Sequence, residues 1–155
     1  MKQAISIFWF RRDLRWQDNV GLYHALYQAK LGGHQVLPMF IFDKTILDQS
    51  EDKADRRVDF IHQTLTRLQG DLVAKGKTLW VRYGKPLEVF EQLFSEFKIQ
   101  SVYTNHDYGP KANARDSAIE KLAASKGASF HHFKVNHTRC VNFSLSERYR
   151  RHVAY

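Results

Sequence analysis

Five short runs of β-branched and aromatic residues recur along this chain, and longer segments of helical period separate them. The runs are AISIFWF at 4–10, QVLPMFIF at 35–42, TLWVRY at 78–83, IQSVYT at 99–104 and SFHHFKV at 129–135. Most are hydrophobic at nearly every position instead of alternating, the pattern of strands covered on both faces. Between them, Val58, Ile61, Leu65, Leu68 and Leu72 step by three, four, three and four, and so share one helix face. NVGLYHALYQAKLGG at 19–33 closes on a glycine pair suited to a C-terminal cap. KPLEVFEQLFSEFK at 85–98 carries Pro86 where a first-turn proline is tolerated, and PKANARDSAIEKLAASKG at 110–127 stops at Gly127. Alternating strand and helix predicts a doubly wound, Rossmann-like α/β fold: a five-stranded parallel sheet, right-handed crossovers, and helices on both faces in three layers.

A chain of 155 residues fits one domain of this kind, burying roughly 70% of the surface of its unfolded form. The single cysteine, Cys140, excludes an intrachain disulfide and a cysteine-based zinc site, and points to a reducing compartment. No run reaches the roughly eighteen apolar residues of a membrane helix, and the amino terminus reads as strand then charge, so the expected location is the cytoplasm, with no membrane partner. The formal charge of +8 is spread along the chain without a basic tail. The strand-helix rhythm holds to residue 136; residues 137–155 read as a tail or the start of a linker.

Doubly wound sheets bind ligands beyond the carboxyl ends of their strands, where strand order reverses around the first strand. The stretch FWFRRDLRWQDN at 8–19 follows the first strand directly. Trp9 and Phe10 are expected in the core. Arg11, Arg12 and Arg15 with Asp13 could form an ion-pair cluster that fixes the turn, and Asp18 or Asn19 could cap the first helix. Three arginines exceed what a charge-balanced turn needs, so an anion or a partner surface is a competing use. Beyond the fourth strand, Asn105 and Asp107 sit beside Tyr108 and a Gly-Pro turn, placed either to cap the next helix or to bind a ligand. Phe42 and Asp43 close the second strand in the same way. No GxGxxG follows the first strand, YGKPLE lacks the spacing of a phosphate loop, and no G-x-S-x-G elbow is present. His131 and His132 are adjacent in a strand and point to opposite faces, so no metal site is expected.

The string W-F-R-x-D-L-R-x-x-D-N from Trp9 to Asn19, FIFD ending the second strand, Arg56 and Arg57 opening RRVDFIHQTLTRLQ, N-x-D-Y at Asn105 to Tyr108 and ARD at Ala114 to Asp116 together resemble the N-terminal domain of DNA photolyases and cryptochromes. The likeness covers roughly residues 4–135. It implies a partner domain outside these residues, all-helical, that holds FAD and binds damaged DNA. In that family, light-excited reduced FAD passes an electron to a pyrimidine dimer flipped from the duplex. The expectation is therefore the light-harvesting domain of a photolyase, with no catalytic residue and no activity of its own.

The resemblance also implies an antenna chromophore (folate, deazaflavin or flavin) in the cleft between the domains. The matching positions here are Phe40, Ile41, Phe42, Asp43, Lys44, Arg57, Asn105, Asp107 and Lys111. Apolar side chains there can hold a flat ring, and Arg57 with Lys111 can meet an acidic tail. Folate-binding members carry an adjacent asparagine and glutamate where this chain has Lys111 and Ala112, and deazaflavin-binding members a glutamate where it has Gly109. Arg11, Arg12, Asp13, Arg15, Asp18 and Asn19 are then expected to form a structural corner facing the partner domain. Two other readings carry the same domain: a cryptochrome light receptor without repair, and a free-standing ligand-binding or interaction module.

Overall fold

The computed structural model describes residues 3–48 and 56–134. The expectations for the tail and Cys140 lie outside them. Ten elements follow one another: β1 (Ala4–Phe10), α1 (Val20–Gly32), β2 (Gln35–Asp43), α2 (Lys44–Leu47), α3 (Arg56–Ala74), β3 (Trp80–Gly84), α4 (Pro86–Glu96), β4 (Lys98–Asn105), α5 (Pro110–Ser125) and β5 (Ser129–Phe133). The five strands form one parallel sheet in the order β3-β2-β1-β4-β5. The chain builds outward from β1 to β3, then crosses to the other side of β1 for β4. That reversal places the switch point between the ends of β1 and β4.

Both faces of the three central strands are largely buried, as their hydrophobic runs require, while the edge strands β3 and β5 are mostly exposed. Ile5, Ile7 and Trp9 of β1 pack with Met39, Ile41 and Val102 beneath α4 and α5, through Phe90, Leu93 and Ile119. Phe8 and Phe10 point the other way, with Phe40 and Tyr103, beneath α1 and α3, through Leu22, Ala25, Leu65, Leu68 and Leu72. The strand period of two thus splits one run between two cores. Of the five periodic positions on α3, the last three are buried, while Val58 and Ile61 near its start are half-buried.

Local chemistry sets the element ends. Asn19 caps α1, accepting from Leu22 N at 3.1 Å, while Asp18 takes a left-handed turn at φ 49°. Gly33 closes the helix in the left-handed conformation. The four-residue α2, too short to show a helical period, is started by Asp43, whose carboxylate accepts from Thr45 N at 2.9 Å. Pro38 is tolerated inside β2 because the β2–β3 ladder starts one residue later, at Met39 opposite Trp80. Among the described residues, no helix is long and apolar enough to cross a membrane.

Phe90 is fully buried and meets Trp9 edge to face, with ring centroids 5.3 Å apart. Phe90→Ala is expected to cost about 3–5 kcal/mol in urea unfolding. Val73→Ala, at a position 58% exposed on α3, is expected to cost less than about 0.5 kcal/mol. Similar losses in the two variants would contradict this packing.

Candidate functional site

The site begins where β1 ends. Arg11 turns back over the sheet edge, and its Nη1 donates to both carboxylate oxygens of Asp116 on α5, at 2.6 and 2.7 Å. Its Nη2 donates to the backbone carbonyl of Asn105. The two side chains are 8% and 12% exposed. Burial draws the Arg11 pKa below its ordinary value, against the upward pull of the hydrogen bonds and charge of Asp116. Arginine remains charged throughout. Arg115 continues the pattern, donating to Asp107 Oδ2 at 3.2 Å and reaching Asp116 Oδ1 at 3.4 Å. Arg12 stands 3.3 Å from Asp107 Oδ1. The result is a row of alternating charge: Arg11, Asp116, Arg115, Asp107, Arg12. Trp9 lies beneath it, with the Arg11 and Arg115 guanidiniums 5.0 and 5.1 Å from its ring centroid.

Asp13 is therefore not the partner of Arg11 or Arg12; their carboxylates come from Asp116 and Asp107, about a hundred residues along the chain. Asp13 instead receives a long 3.5 Å bond from Asn105 Nδ2. Arg15 contributes its backbone carbonyl, which accepts from Asn19 Nδ2 at 2.9 Å. Asn105 is the hub beneath this loop: its Oδ1 accepts from Gly21 N at 3.1 Å and its Nδ2 donates to Asn19 Oδ1 at 3.0 Å. A Cβ on Gly21 would sit 2.6 Å from that Oδ1 and 2.9 Å from the Phe8 ring, so only glycine fits. Neither Asn105 nor Asp107 caps α5. That position belongs to Gly109, at φ 138°, a conformation almost confined to glycine, which builds the absence of a carboxylate at 109 into the turn.

Arg11 also decides where a ligand can go. The crevice between the ends of β1 and β4 is reduced to about 20 Å³, room for about one water. Open space lies beside it, in a groove of about 710 Å³ that crosses the carboxyl ends of β2, β3 and β4 above α4 and α5. Ile46, Leu87 and Tyr108 supply apolar walls and are 62%, 38% and 62% exposed. Lys85, Lys111, Arg12 and Arg115 supply cations. Both helices that start here have proline in the first turn and no side-chain cap, so their unpaired backbone N–H groups add positive potential. Asp107 Oδ1 is buried at the groove wall without a hydrogen bond, and Arg12 beside it is 80% exposed. This set suits a flat, partly apolar molecule with an anionic tail and one N–H or O–H to donate.

Of the positions matched by resemblance, Asp43, Asp107 and Lys111 line this groove, as do Gly109 and Ala112. Phe40 and Ile41 point into the two cores, and Phe42 is half-buried against the α1–α3 face. Lys44 opens α2, Arg57 lies exposed in the first turn of α3, and Asn105 holds the loop. Lys85, Leu87 and Ile46 had no motif to mark them; the one available signal was their position just past a strand end.

The fold and groove define a doubly wound α/β domain with a cation-rimmed groove at the carboxyl edge of its sheet. The DNA photolyase family pattern matches residues 6–140, and the chain belongs to that family. It is 34% identical over 124 residues to the deoxyribodipyrimidine photo-lyase of Synechococcus sp., a match over 80% of this chain and 25% of the relative. It is 32% identical to Cryptochrome-1 of Erithacus rubecula, over 86% of this chain and 20% of that protein. The crystal structure of the archaeal photolyase from Sulfolobus tokodaii, solved with two FAD molecules and described as implying a novel light-harvesting cofactor, superposes with a TM-score of 0.76 at 34% identity, over 85% of this chain and 29% of that one. The chain thus spans about a fifth to a third of the length of these proteins.

Removing one member of a buried ion pair strands the other. Asp116→Ala is expected to cost about 3–5 kcal/mol, and Arg12→Ala, at an exposed pair, less than about 1 kcal/mol. Joint replacement by Arg11→Met and Asp116→Leu should recover much of the loss. Urea unfolding checks all three, and a larger loss for Arg12→Ala would refute the assignment.

Proposed function

We propose that this chain is the light-harvesting domain of a photolyase-type flavoprotein and that its groove holds a flavin as antenna. The observation that carries the reading is the convergence of two uncapped helix N-termini, Lys85 and Lys111 around the apolar Ile46, Leu87 and Tyr108. The phosphates of a flavin nucleotide suit the first set and its ring system the second. The second FAD of the Sulfolobus tokodaii protein supports a flavin; Lys111 and Ala112 in place of an asparagine and a glutamate count against a folate, and Gly109 in place of a glutamate counts against a deazaflavin. When bound, the flavin supplies absorption of blue and near-ultraviolet light and passes the excitation onward. Within this chain, Lys85 and Lys111 hold the anionic tail, Asp107 accepts a hydrogen bond from the ring, and the apolar walls exclude water.

In the whole protein the proposed acceptor is a reduced FAD in a helical partner domain, which donates an electron to a pyrimidine dimer in DNA. The charged corner then faces that domain through the exposed Arg12, Arg15 and Asp18, with Arg11, Asp13 and Asn19 holding it from beneath. Similarity to Cryptochrome-1 favours a second reading, a light receptor of the same architecture. Light-driven dimer repair by the protein containing this domain separates the two.

The antenna reading is tested by titrating the chain with FAD and with riboflavin, which lacks phosphate, and following flavin anisotropy. FAD should bind more tightly, and Lys85→Glu with Lys111→Glu should weaken FAD about tenfold or more while leaving riboflavin unchanged. Equal affinities for both flavins, or no binding of either, would refute it.

A further inference from the structure

The sheet face covered by α1 and α3 carries a second groove, which shares no lining residue with the groove at the carboxyl edge. Helices α1 and α3 both pack on that face and leave a gap over the first half of β2, where β2 has no β3 neighbour and Val36 and Pro38 are half-buried. The space between them is about 360 Å³. Trp16, Leu22, Leu26 and Leu72 line it with Val36 and Pro38, giving an apolar floor. From Leu22 to Lys30 along α1, the wall runs for about 12 Å. The charged groups at its rim are Lys30, Lys75 and Lys77, with His34 beside them; among the described residues that line it, none is acidic. Lys75 Nζ lies 4.6 Å from the centroid of the Trp16 ring, and His34 is fixed by a 2.7 Å hydrogen bond to the buried Ser6 hydroxyl. Asp71 binds the Trp16 indole N–H at 3.3 Å and lines a separate hollow.

Lysines near helix C-termini commonly offset the helix dipole. Two helices end here, each contributing roughly half a negative charge. Lys75 and Lys77 alone exceed that, so the mouth keeps a net positive charge over an apolar floor.

We propose that this groove binds a small amphiphilic anion, an extended or flat apolar body ending in a carboxylate. The apolar part lies between Leu26, Val36 and Leu72, and the carboxylate meets Lys75 and Lys77. The site is independent of the antenna groove.

The probe is decanoate, with decylammonium as its charge-reversed control, followed by amide chemical shifts of the chain and by calorimetry. Decanoate should shift the amides of Leu26, Val36 and Lys75 and leave Tyr108 and Lys111 in place. It should bind about tenfold more tightly than decylammonium. Lys75→Glu with Lys77→Glu, both exposed, should reverse that order. Shift mapping on the unaltered chain needs no variant to fold. Equal affinities for the two amphiphiles, shifts confined to other surfaces, or no binding would overturn the proposal.

Discussion

A buried guanidinium in water-excluded surroundings must find its counter-charge, and in this molecule that demand organises the edge of the sheet. Arg11 leaves β1 at the point where strand order reverses, and the carboxylate that satisfies it stands on α5, across the fourth strand. Making that pair brings α5 against the end of β1. It aligns Arg115 and Asp107 in the same row and closes the switch-point crevice that a sheet of this topology would otherwise leave open. Asn105 performs the neutral half of the task, tying the loop and the start of α1 to the end of β4 through three side-chain hydrogen bonds. Such an arrangement is costly to break at one member and cheap to replace whole, so its value lies in geometry more than in net stability.

The consequence for ligand binding is a displacement. With the crevice filled, the open volume moves toward β2 and β3, over the N-termini of α4 and α5. There, the unpaired N–H groups of two first turns face the same space, and the proline that opens each helix removes a donor that had no partner in any case. Lysines on both helix starts reinforce the potential. An apolar wall with a positive rim favours a ring that carries an acidic tail, which is the chemistry of a flavin nucleotide.

Much of this was readable in the chain. Strands hydrophobic at most positions announced a sheet covered on both sides, and the three- and four-residue steps ending at Leu65, Leu68 and Leu72 located the buried stripe of α3. Asn19 and Pro86 marked helix starts by mechanisms that act within a turn. Asp107 was readable because a residue just past a strand in this fold lies at the ligand edge, whereas Lys111 came only from the family resemblance. The partner of Arg11 was not legible: Asp13 is two residues away, Asp116 more than a hundred, and only the crossover geometry chooses between them. Phe40 and Ile41 went to the cores because consecutive strand residues point to opposite faces, both of which are covered here. The contributions of Ile46 and Leu87 depend on α2 and on the tilt of α4, for which no local pattern exists.

The most direct test is a crystal structure of this chain with FAD. Isoalloxazine density is expected against Ile46, Leu87 and Tyr108, with the phosphates at the starts of α4 and α5 and the Arg11–Asp116 pair intact. Flavin density elsewhere on the chain, or an Arg11 side chain displaced to admit the ring between β1 and β4, would contradict this placement.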